Sequence, residues 1–348
     1  MAAKKSNGKT NLIGLRKREY RGGMTTLCAG CGHNSISNQI ISACYELNIV
    51  PEEIVKFSGI GCSSKSPAYF LNRSFGFNTL HGRMPSVATG ALFGDTSLKA
   101  IALSGDGDTS NIGLGQFKHV MRRNLKLVYI IENNGVYGLT KGQFSATAER
   151  GLKLKYQGEN TYMPIDIIME ALSSDATFVA RSFAGDAKQV KELLKAALTH
   201  EGLAILDIVS PCVTFNNHPE SKHSYDWGKE HEEQLHDINF VPKEEEIIID
   251  GEFPEGTTRT ITMHDGSKLV LKKLESDYDP GDRWNAMRVV EKSNQEGVLL
   301  TGLIHLNTRR ASLAKMHNLP EDKPLNRMTE KELRPARKTL DALNAKMF

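Results

Sequence analysis

Residues 99–135 read KAIALSGDGDTSNIGLGQFKHVMRRNLKLVYIIENNG. An apolar run, Lys99 to Leu103, ends in Ser-Gly-Asp-Gly, and a second run, Leu127 to Ile131, ends in Glu-Asn-Asn-Gly. The segment between them, from about Ile112 to Arg123, has a helical pattern of apolar residues. Short apolar runs that are joined by a helix predict neighbouring parallel strands that are buried on both faces.

The same alternation extends in both directions along the chain. It predicts an α/β fold, an open and mostly parallel sheet with helices on both faces. Ligands of such sheets bind at the carboxyl ends of the strands, where these apolar runs give way to Gly, Asp, Asn and Ser. The further predicted strands are Ile54 to Phe57, Thr177 to Ala180 and Leu203 to Val209, and the further predicted helices are Asn34 to Leu47, Ser86 to Phe93, Ile165 to Leu172 and Ala187 to His200.

Composition divides the chain into three parts. Residues 1–24 form a polar amino-terminal arm, residues 25–217 the α/β domain, and residues 218–348 a carboxyl-terminal extension. In the extension, 247–251 and 260–271 alternate like the strands of a β-hairpin. Residues 330–347 have the pattern of one amphipathic helix.

Charge and hydropathy exclude several classes of partner. The chain of 348 residues carries 44 basic and 41 acidic side chains, a balance too even to indicate nucleic-acid binding. No apolar stretch approaches the roughly 20 residues of a membrane span, and no secretory signal is recognisable. We therefore expect a cytoplasmic protein, in which clustered cysteines are more often metal ligands or redox centres than disulfides.

The polar ends of the two central strands predict a site for a divalent cation and a diphosphate. Mg²⁺ prefers oxygen ligands, and Asp106 offers a carboxylate while Asn134 offers an amide oxygen. Gly105 and Gly107 allow close approach of the backbone to phosphate. A Gly-Asp-Gly triplet alone is also an ordinary turn. No Gly-x-x-x-x-Gly-Lys-Ser/Thr motif is present to suggest a nucleotide site.

Four of the five cysteines form a second pattern. Cys28 and Cys31 are a Cys-x-x-Cys pair before the first helix, and Cys62 and Cys212 each follow a predicted strand. Four thiolates suit either Zn²⁺ or a four-iron cluster, and spacing does not choose between them. Cys44 lies on the apolar face of a helix and is interpreted as a buried structural residue.

Five motifs together resemble the beta subunit of 2-oxoacid:ferredoxin oxidoreductases, most closely the 2-oxoglutarate enzymes. The resemblance covers roughly residues 20–220 in consistent order. The motifs are Cys-Ala-Gly-Cys-Gly-His (28–33), Gly-Ile-Gly-Cys-Ser-Ser-Lys (59–65), Leu-His-Gly-Arg (80–83), Gly-Asp-Gly-Asp (105–108) and Asn-Asn-Gly-Val-Tyr-Gly-Leu-Thr-Lys-Gly-Gln (133–143).

The resemblance implies a thiamine diphosphate-binding fold with Mg²⁺ and one [4Fe-4S] cluster. Asp106, Asn134 and the carbonyl of Val136 would bind Mg²⁺, and Cys28, Cys31, Cys62 and Cys212 the cluster. Lys65 would attract the substrate carboxylate, and Leu139 would shape the substrate pocket. The residues that would line the thiamine cofactor are Ile60, Gly61, Cys62, Ser63, His81, Gly107, Asp108, Gly138 and Leu139. From the sequence alone, each of three residues also has a plain structural interpretation: His81 as a turn residue, Asp108 as a helix cap and Lys65 as a solvated side chain.

The family implies oxidative decarboxylation of a 2-oxoacid with coenzyme A, the electrons passing through the cluster to ferredoxin. We favour 2-oxoglutarate as the substrate, with pyruvate or a broad range of 2-oxoacids as the alternative. An alpha subunit would supply the pyrimidine-binding domain, giving an alpha-beta heterodimer or a dimer of it. Two other interpretations stay open: a thiamine enzyme without redox chemistry, and a zinc-stabilised binding or scaffolding protein in which Gly-Asp-Gly is only a turn.

Overall fold

The predicted α/β fold is confirmed by a computed structural model, which describes residues 9–243, 258–272, 278–320 and 322–347. The strands of these ranges are β1 (Ile54–Ser58), β2 (Phe75–Asn78), β3 (Lys99–Gly105), β4 (Leu127–Asn133), β5 (Val136–Tyr137), β6 (Gln143–Phe144), β7 (Lys153–Leu154), β8 (Gly158–Glu159), β9 (Phe178–Phe183), β10 (Leu203–Val209), β11 (Glu232–Gln234), β12 (Asp237–Val241), β13 (Thr258–Thr262), β14 (Lys268–Lys272) and β15 (Leu299–Leu306).

The helices begin and end close to the predicted positions. In the described part of the chain they are α1 (Gly32–Glu46), α2 (Met84–Gly94), α3 (Leu114–Arg123), α4 (Ile167–Ser173), α5 (Ala187–Thr199), α6 (Tyr225–His231), α7 (Arg283–Glu296), α8 (Leu313–Met316), α9 (Glu330–Leu333) and α10 (Arg337–Asn344). None of them is long and apolar enough to cross a membrane.

One sheet of eight strands organises the molecule, in the order β11-β15-β9-β10-β4-β3-β1-β2. The six strands from β9 to β2 in that order run parallel, while β15 is antiparallel to β9. Side chains of the central strands alternate between two cores. Val128 and Ile130 of β4 pack with α1 and α5 on one face, and Tyr129 and Ile131 pack with α2, α3, α4 and α7 on the other.

Residues beyond 217 return to this sheet. β15 pairs with β9, and β11 pairs with β15 at the edge. The extension contains a β-hairpin as predicted, but both of its strands, β13 and β14, come from the second predicted segment, while 247–251 lies outside the described residues. β12 completes a small sheet with β14 and packs on α5. The extension therefore shares the core of the α/β domain.

The single helix predicted over 330–347 is wrong. The chain forms two short helices, α9 and α10, and every described residue of this stretch is exposed. The break falls at Pro335, which cannot continue a hydrogen-bonded helix and disfavours helical backbone in the residue before it. Arg334 is accordingly extended, with φ −85° and ψ 139°.

Buried histidines make stability depend on pH. Burial lowers the pKa of His200 to about 3, so the folded protein keeps this ring neutral below pH 6.5 while the unfolded chain takes up a proton. The free energy of unfolding should therefore fall as the pH drops from 7.5 to 5.5, and His200 should contribute about 1.4 kcal/mol of that loss. Urea unfolding of the wild type and His200→Gln at both pH values measures it. An equal pH dependence of the two proteins would contradict this assignment.

Candidate functional site

Parallel pairing brings four loops to one edge of the sheet. Ser58 lies opposite Leu103, Gly105 opposite Glu132, and Asn133 opposite Val209, so β1, β3, β4 and β10 end at nearly the same level. The loops after these strands carry two of the four cysteines and the predicted cofactor residues other than His81, which follows β2. The pairing of β3 with β4 places the Gly-Asp-Gly motif beside the Asn-Asn motif, as predicted from the sequence.

Asp106 is buried, and its two carboxylate oxygens have different surroundings. The Oδ2 atom accepts hydrogen bonds from the backbone of Gly135 at 3.1 Å, from the Thr147 hydroxyl at 2.6 Å and from the Ser145 hydroxyl. Within the described part of the chain, the Oδ1 atom accepts one long hydrogen bond, from the backbone nitrogen of Asn134 at 3.4 Å. Protein donors thus fix one oxygen and leave the other available to a cation.

Asn134 and Val136 follow directly in the tight turn after β4. Gly135 at its centre has φ +73°, a conformation that favours glycine, and Asn134 Oδ1 accepts a hydrogen bond from the Val136 amide at 3.1 Å. On the facing loop, a Cβ at Gly107 would lie 2.5 Å from the ring of Tyr137, whose hydroxyl donates to the Gly107 carbonyl. The two loops are therefore in direct contact.

The chain after Asp106 is helical earlier than predicted. A π-helical turn, Asp108–Ile112, precedes α3, and the two are separated at Gly113. Gly113 packs against Gly82 so closely that a Cβ at Gly82 would lie 2.8 Å from the Gly113 nitrogen. Local π-helical geometry is frequent at functional sites.

Asp108 holds the loop that carries His81. Its Oδ1 accepts from the Gly82 amide and its Oδ2 from the Ser104 hydroxyl, each at 2.7 Å. The carboxylate therefore caps neither the π-helical turn nor α3. It instead fixes the backbone beside His81, which is exposed. Asp108 stays a predicted cofactor residue, and the geometry gives it a positioning role.

The four predicted cluster cysteines converge from three loops. Cys31 is the N-cap residue of α1, and the next residue, Gly32, donates to the Pro211 carbonyl at 3.2 Å. The Thr214 hydroxyl lies 3.3 Å from Cys28 Sγ. These contacts hold the Cys-x-x-Cys loop against the loop of Cys212.

Gly138 joins the cysteines to the diphosphate motif. A Cβ placed on it would lie 3.5 Å from the Sγ atoms of both Cys62 and Cys212, so those sulfurs lie within twice that distance of each other. Burial raises the pKa of Cys31 to about 12, and Glu132, Cys212 and Cys62 add to the rise. Burial also raises the pKa of Cys62, with Cys212 as the next cause. The thiols thus lie close enough to influence one another.

A buried acid and a buried imidazole lie behind the cysteines. Burial raises the pKa of Glu132 well above its ordinary value, and the Ser66 hydroxyl donates to its Oε2 at 2.9 Å. His33 lies with its Nε2 3.9 Å from that oxygen and its Nδ1 2.6 Å from the Ser210 hydroxyl. Burial lowers the pKa of His33 to about 4. Glu132, His33 and Ser210 have no role that is predicted from the sequence.

The residues predicted to face the substrate are accessible. Lys65 is half-buried in the 3-10 helix Cys62–Ala68. Leu139 is 46% exposed, and His81 is exposed as well. Of the other predicted cofactor residues, Ser63 and Gly107 are buried and Ile60, Gly61 and Gly138 partly buried.

Among the residues that the structure describes, no three His, Cys, Asp or Glu side chains converge as they would around one metal ion. The donor sets nevertheless fit the predicted groups. Asp106 is the one carboxylate of the Mg²⁺ set, which otherwise uses amide and carbonyl oxygens. Two thiols beside Gly138, with the Cys-x-x-Cys loop held against the loop of Cys212, suit a cluster that is bound by four thiolates.

A cavity of about 790 Å³ opens at the same edge of the sheet, toward β9 and β10. Asn133, Thr147 and His223 contribute to its wall, whereas none of the predicted thiamine-lining residues does. The cavity therefore adjoins the predicted cofactor site from the side of Thr147. The hydroxyls of Ser145 and Thr147, which bind Asp106, carried no signal in the sequence because they belong to no recognisable motif.

The α/β fold and the polar loops at the carboxyl ends of its strands are typical of a known class of protein. Residues 59–208 match the family model "Thiamine pyrophosphate enzyme, C-terminal TPP binding domain". The chain is 44% identical over 191 residues to a 2-oxoacid:ferredoxin oxidoreductase subunit beta of Saccharolobus solfataricus, covering 55% of this chain and 63% of that protein. The chain thus spans less than two thirds of the length of that relative.

A 2-oxoglutarate synthase subunit KorB of Methanocaldococcus jannaschii is 35% identical over 195 residues, which cover 54% of this chain and 69% of that one. A 2-oxoglutarate:ferredoxin oxidoreductase structure from Magnetococcus marinus, with 2-oxoglutarate, coenzyme A and succinyl-CoA bound, superposes with a TM-score of 0.72. It has 29% identity, and the match covers 94% of this chain and 96% of that one. The chain belongs to the beta subunits of the 2-oxoacid:ferredoxin oxidoreductases.

Gly59 offers a test of the packing at this edge. A Cβ there would lie 1.9 Å from Asp108 Oδ2 and 2.7 Å from the Ser104 hydroxyl. Gly59→Ala should therefore displace Asp108 and lower the free energy of unfolding by about 1–3 kcal/mol, the range for overpacking. Gly90→Ala is the matched control, because Gly90 lies within α2 with no atom near its Cβ position, and it should be stabilising by about 0.5–1 kcal/mol. Urea unfolding measures the free energy of unfolding of both variants. Equal values for the two variants would contradict the close contact between position 59 and Asp108.

Proposed function

We propose that this chain is the beta subunit of an enzyme that oxidatively decarboxylates 2-oxoglutarate with coenzyme A. The products would be succinyl-CoA, carbon dioxide, one proton and two electrons, and the electrons would leave through a [4Fe-4S] cluster to ferredoxin. The observation that carries the proposal is the contact at Gly138, where the loop of Asn134 meets the thiols of Cys62 and Cys212. A cofactor site and an electron acceptor would be neighbours there.

Asp106, Asn134 and the Val136 carbonyl would hold Mg²⁺ and through it the diphosphate of thiamine. When bound, thiamine diphosphate supplies the carbon nucleophile and electron sink for decarboxylation of a 2-oxoacid. The protein's part is orientation: three donors fix Asp106 Oδ2, and Asp108 fixes the loop of His81. Lys65, in the helix that begins at Cys62, would attract the carboxylate of the substrate.

Cys28, Cys31, Cys62 and Cys212 would hold the cluster. A zinc ion at this position would be redox-inert and could only stabilise the loops. The proximity of the thiols to the cofactor motif favours the redox interpretation over a zinc-stabilised scaffold. A thiamine enzyme without redox chemistry would have no use for four thiols at this edge.

An alpha subunit would cover the open side of this edge. His81, Leu139, Leu80 and Ile112 are exposed around the predicted cofactor residues, and Leu80 is 77% exposed. An apolar rim around a polar site is typical of a surface that another protein covers. The alpha subunit would supply the pyrimidine-binding domain, so the chain alone should not turn over substrate.

The choice of 2-oxoglutarate is supported by the names of several relatives and by the ligands of the Magnetococcus marinus structure. The alternative is pyruvate or a broader set of 2-oxoacids, which the first relatives' names leave open. Steady-state rates of the assembled complex with each 2-oxoacid and coenzyme A should give a kcat/KM at least 10-fold higher for 2-oxoglutarate. Equal or higher efficiency with pyruvate would overturn this choice.

The two predicted sites should be separable by substitution. Asp106→Asn should weaken Mg²⁺-dependent binding of thiamine diphosphate at least 10-fold, because a carboxylate ligand is lost, while the iron content stays unchanged. Cys212→Ser should abolish the cluster and leave thiamine binding intact. Calorimetry and iron analysis of the anaerobically purified alpha-beta complex provide both readouts.

Matched controls exist for both substitutions. Asp95→Asn changes a buried aspartate that is hydrogen-bonded to Ser97 and Asn326 and precedes β3, at the opposite end of that strand from the motif. Cys44→Ser changes a buried cysteine outside the group of four. Both controls should keep thiamine and iron. A colourless complex that contains stoichiometric zinc would refute the redox function.

A further inference from the structure

We propose that His223 is a positioning residue for the carboxylate of Asp106, acting through Asn133 and Thr147. His223 belongs to the segment beyond residue 217, where no sequence motif indicates a functional residue. The inference rests on the proposed function, since it assigns a purpose to Asp106 as a ligand of Mg²⁺. It rests on three consecutive contacts that join four buried side chains, those of Asp106, Thr147, Asn133 and His223.

The first contact is at Thr147. Its hydroxyl lies 2.6 Å from Asp106 Oδ2 and 2.9 Å from Asn133 Oδ1, and both are acceptors. A hydroxyl has only one proton, so Thr147 can donate to one of them at a time. Whether Asp106 receives this hydrogen bond depends on whether Asn133 Oδ1 is satisfied by another donor.

The orientation of Asn133 is set from the other side. Its Nδ2 donates to Asp207 Oδ1 at 3.0 Å, and Asp207 in turn accepts from the Arg181 guanidinium at 3.0 Å. Both partners are buried. The amide oxygen of Asn133 therefore faces Thr147 and His223, with its nitrogen turned toward the acid.

His223 is the other donor to that oxygen. Its Nε2 lies 3.1 Å from Asn133 Oδ1, and its Nδ1 lies 3.2 Å from Glu149 Oε2. A ring that faces acceptors at both nitrogens needs a proton on each. Burial opposes that charge, but the hydrogen bond and charge of Glu149 outweigh it and raise the pKa of His223.

The consequence is a directed chain of donors. The imidazolium satisfies Asn133, which leaves the single proton of Thr147 for Asp106 Oδ2. Oδ1 then remains turned toward the cation. Residues that orient metal ligands in this way typically affect metal affinity by about 10–100-fold when they are changed.

Two substitutions at position 223 separate this role from a general structural one. The side-chain amide of Gln reaches the place of Nε2, and that of Asn reaches only the place of Nδ1. We therefore expect His223→Gln to bind Mg²⁺ within about 3-fold of wild type and His223→Asn to bind it about 10-fold more weakly. The measurement is the Mg²⁺ dissociation constant of the alpha-beta complex at saturating thiamine diphosphate.

The difference between the two variants should disappear when Thr147 is replaced by Val. Thr147→Val removes the hydroxyl through which His223 would act, so the two substitutions should be non-additive. His236→Asn is the control, because His236 is a buried histidine bonded to the Leu303 backbone, and its Mg²⁺ affinity should equal that of wild type. If His223→Asn does not assemble, the double substitution Glu149→Gln/His223→Leu takes its place. It should also weaken Mg²⁺ binding about 10-fold, and it leaves no carboxylate at position 149 without its histidine partner.

Different results would overturn the role of His223 and the proposed function. Equal Mg²⁺ affinity of the Gln and Asn variants, or a difference between them that persists with Val at position 147, would overturn the role of His223. A wild-type complex that binds no thiamine diphosphate in the presence of Mg²⁺ would instead refute the proposed function. Iron content should be unchanged throughout, since His223 makes no hydrogen bond to the cysteine loops.

Discussion

The parallel pairing of β1, β3, β4 and β10 is the constraint on which the rest of the site depends. Because these strands end at one level, loops that are up to 150 residues apart in the chain meet at one edge. Hydrogen bonds between them, such as those to Asp106, form without any long excursion of the backbone. The chemistry of a binding site can then be assembled from short loops on a rigid sheet.

Alternation along β4 divides the Glu-Asn-Asn motif between two environments. Glu132 points to the face of α1, where it meets Ser66 and His33 behind the cysteines. Asn133 points to the opposite face and meets Asp207, Thr147 and His223. Asn134 lies in the turn beyond the strand, beside Asp106. Three successive residues thus serve the proposed cluster side, the supporting network and the proposed metal site.

The segment beyond residue 217 contributes strands to the main sheet and one loop to the surroundings of the candidate site. β15 and β11 extend the sheet past β9 and bury one edge of it. The loop before α6 places His223 against Asn133 and Glu149, next to the cavity at that end of the sheet. The change of composition along the sequence therefore does not mark a separate domain, because β11 and β15 belong to the same sheet as the preceding strands.

The sequence by itself determined the order of five strands of the main sheet and of five helices, the strand-end location of the motifs and the residue types that define the family. Periodicity and turn residues are local properties, so they are legible in one dimension. It did not determine the break at Pro335 within its amphipathic pattern or the π-helical turn after Asp106. Contacts such as Ser145 and Thr147 to Asp106, His33 to Glu132 and His223 to Asn133 were decided only by tertiary structure. They join residues 39 to 99 positions apart, and nothing local in the sequence specifies which buried polar groups satisfy one another.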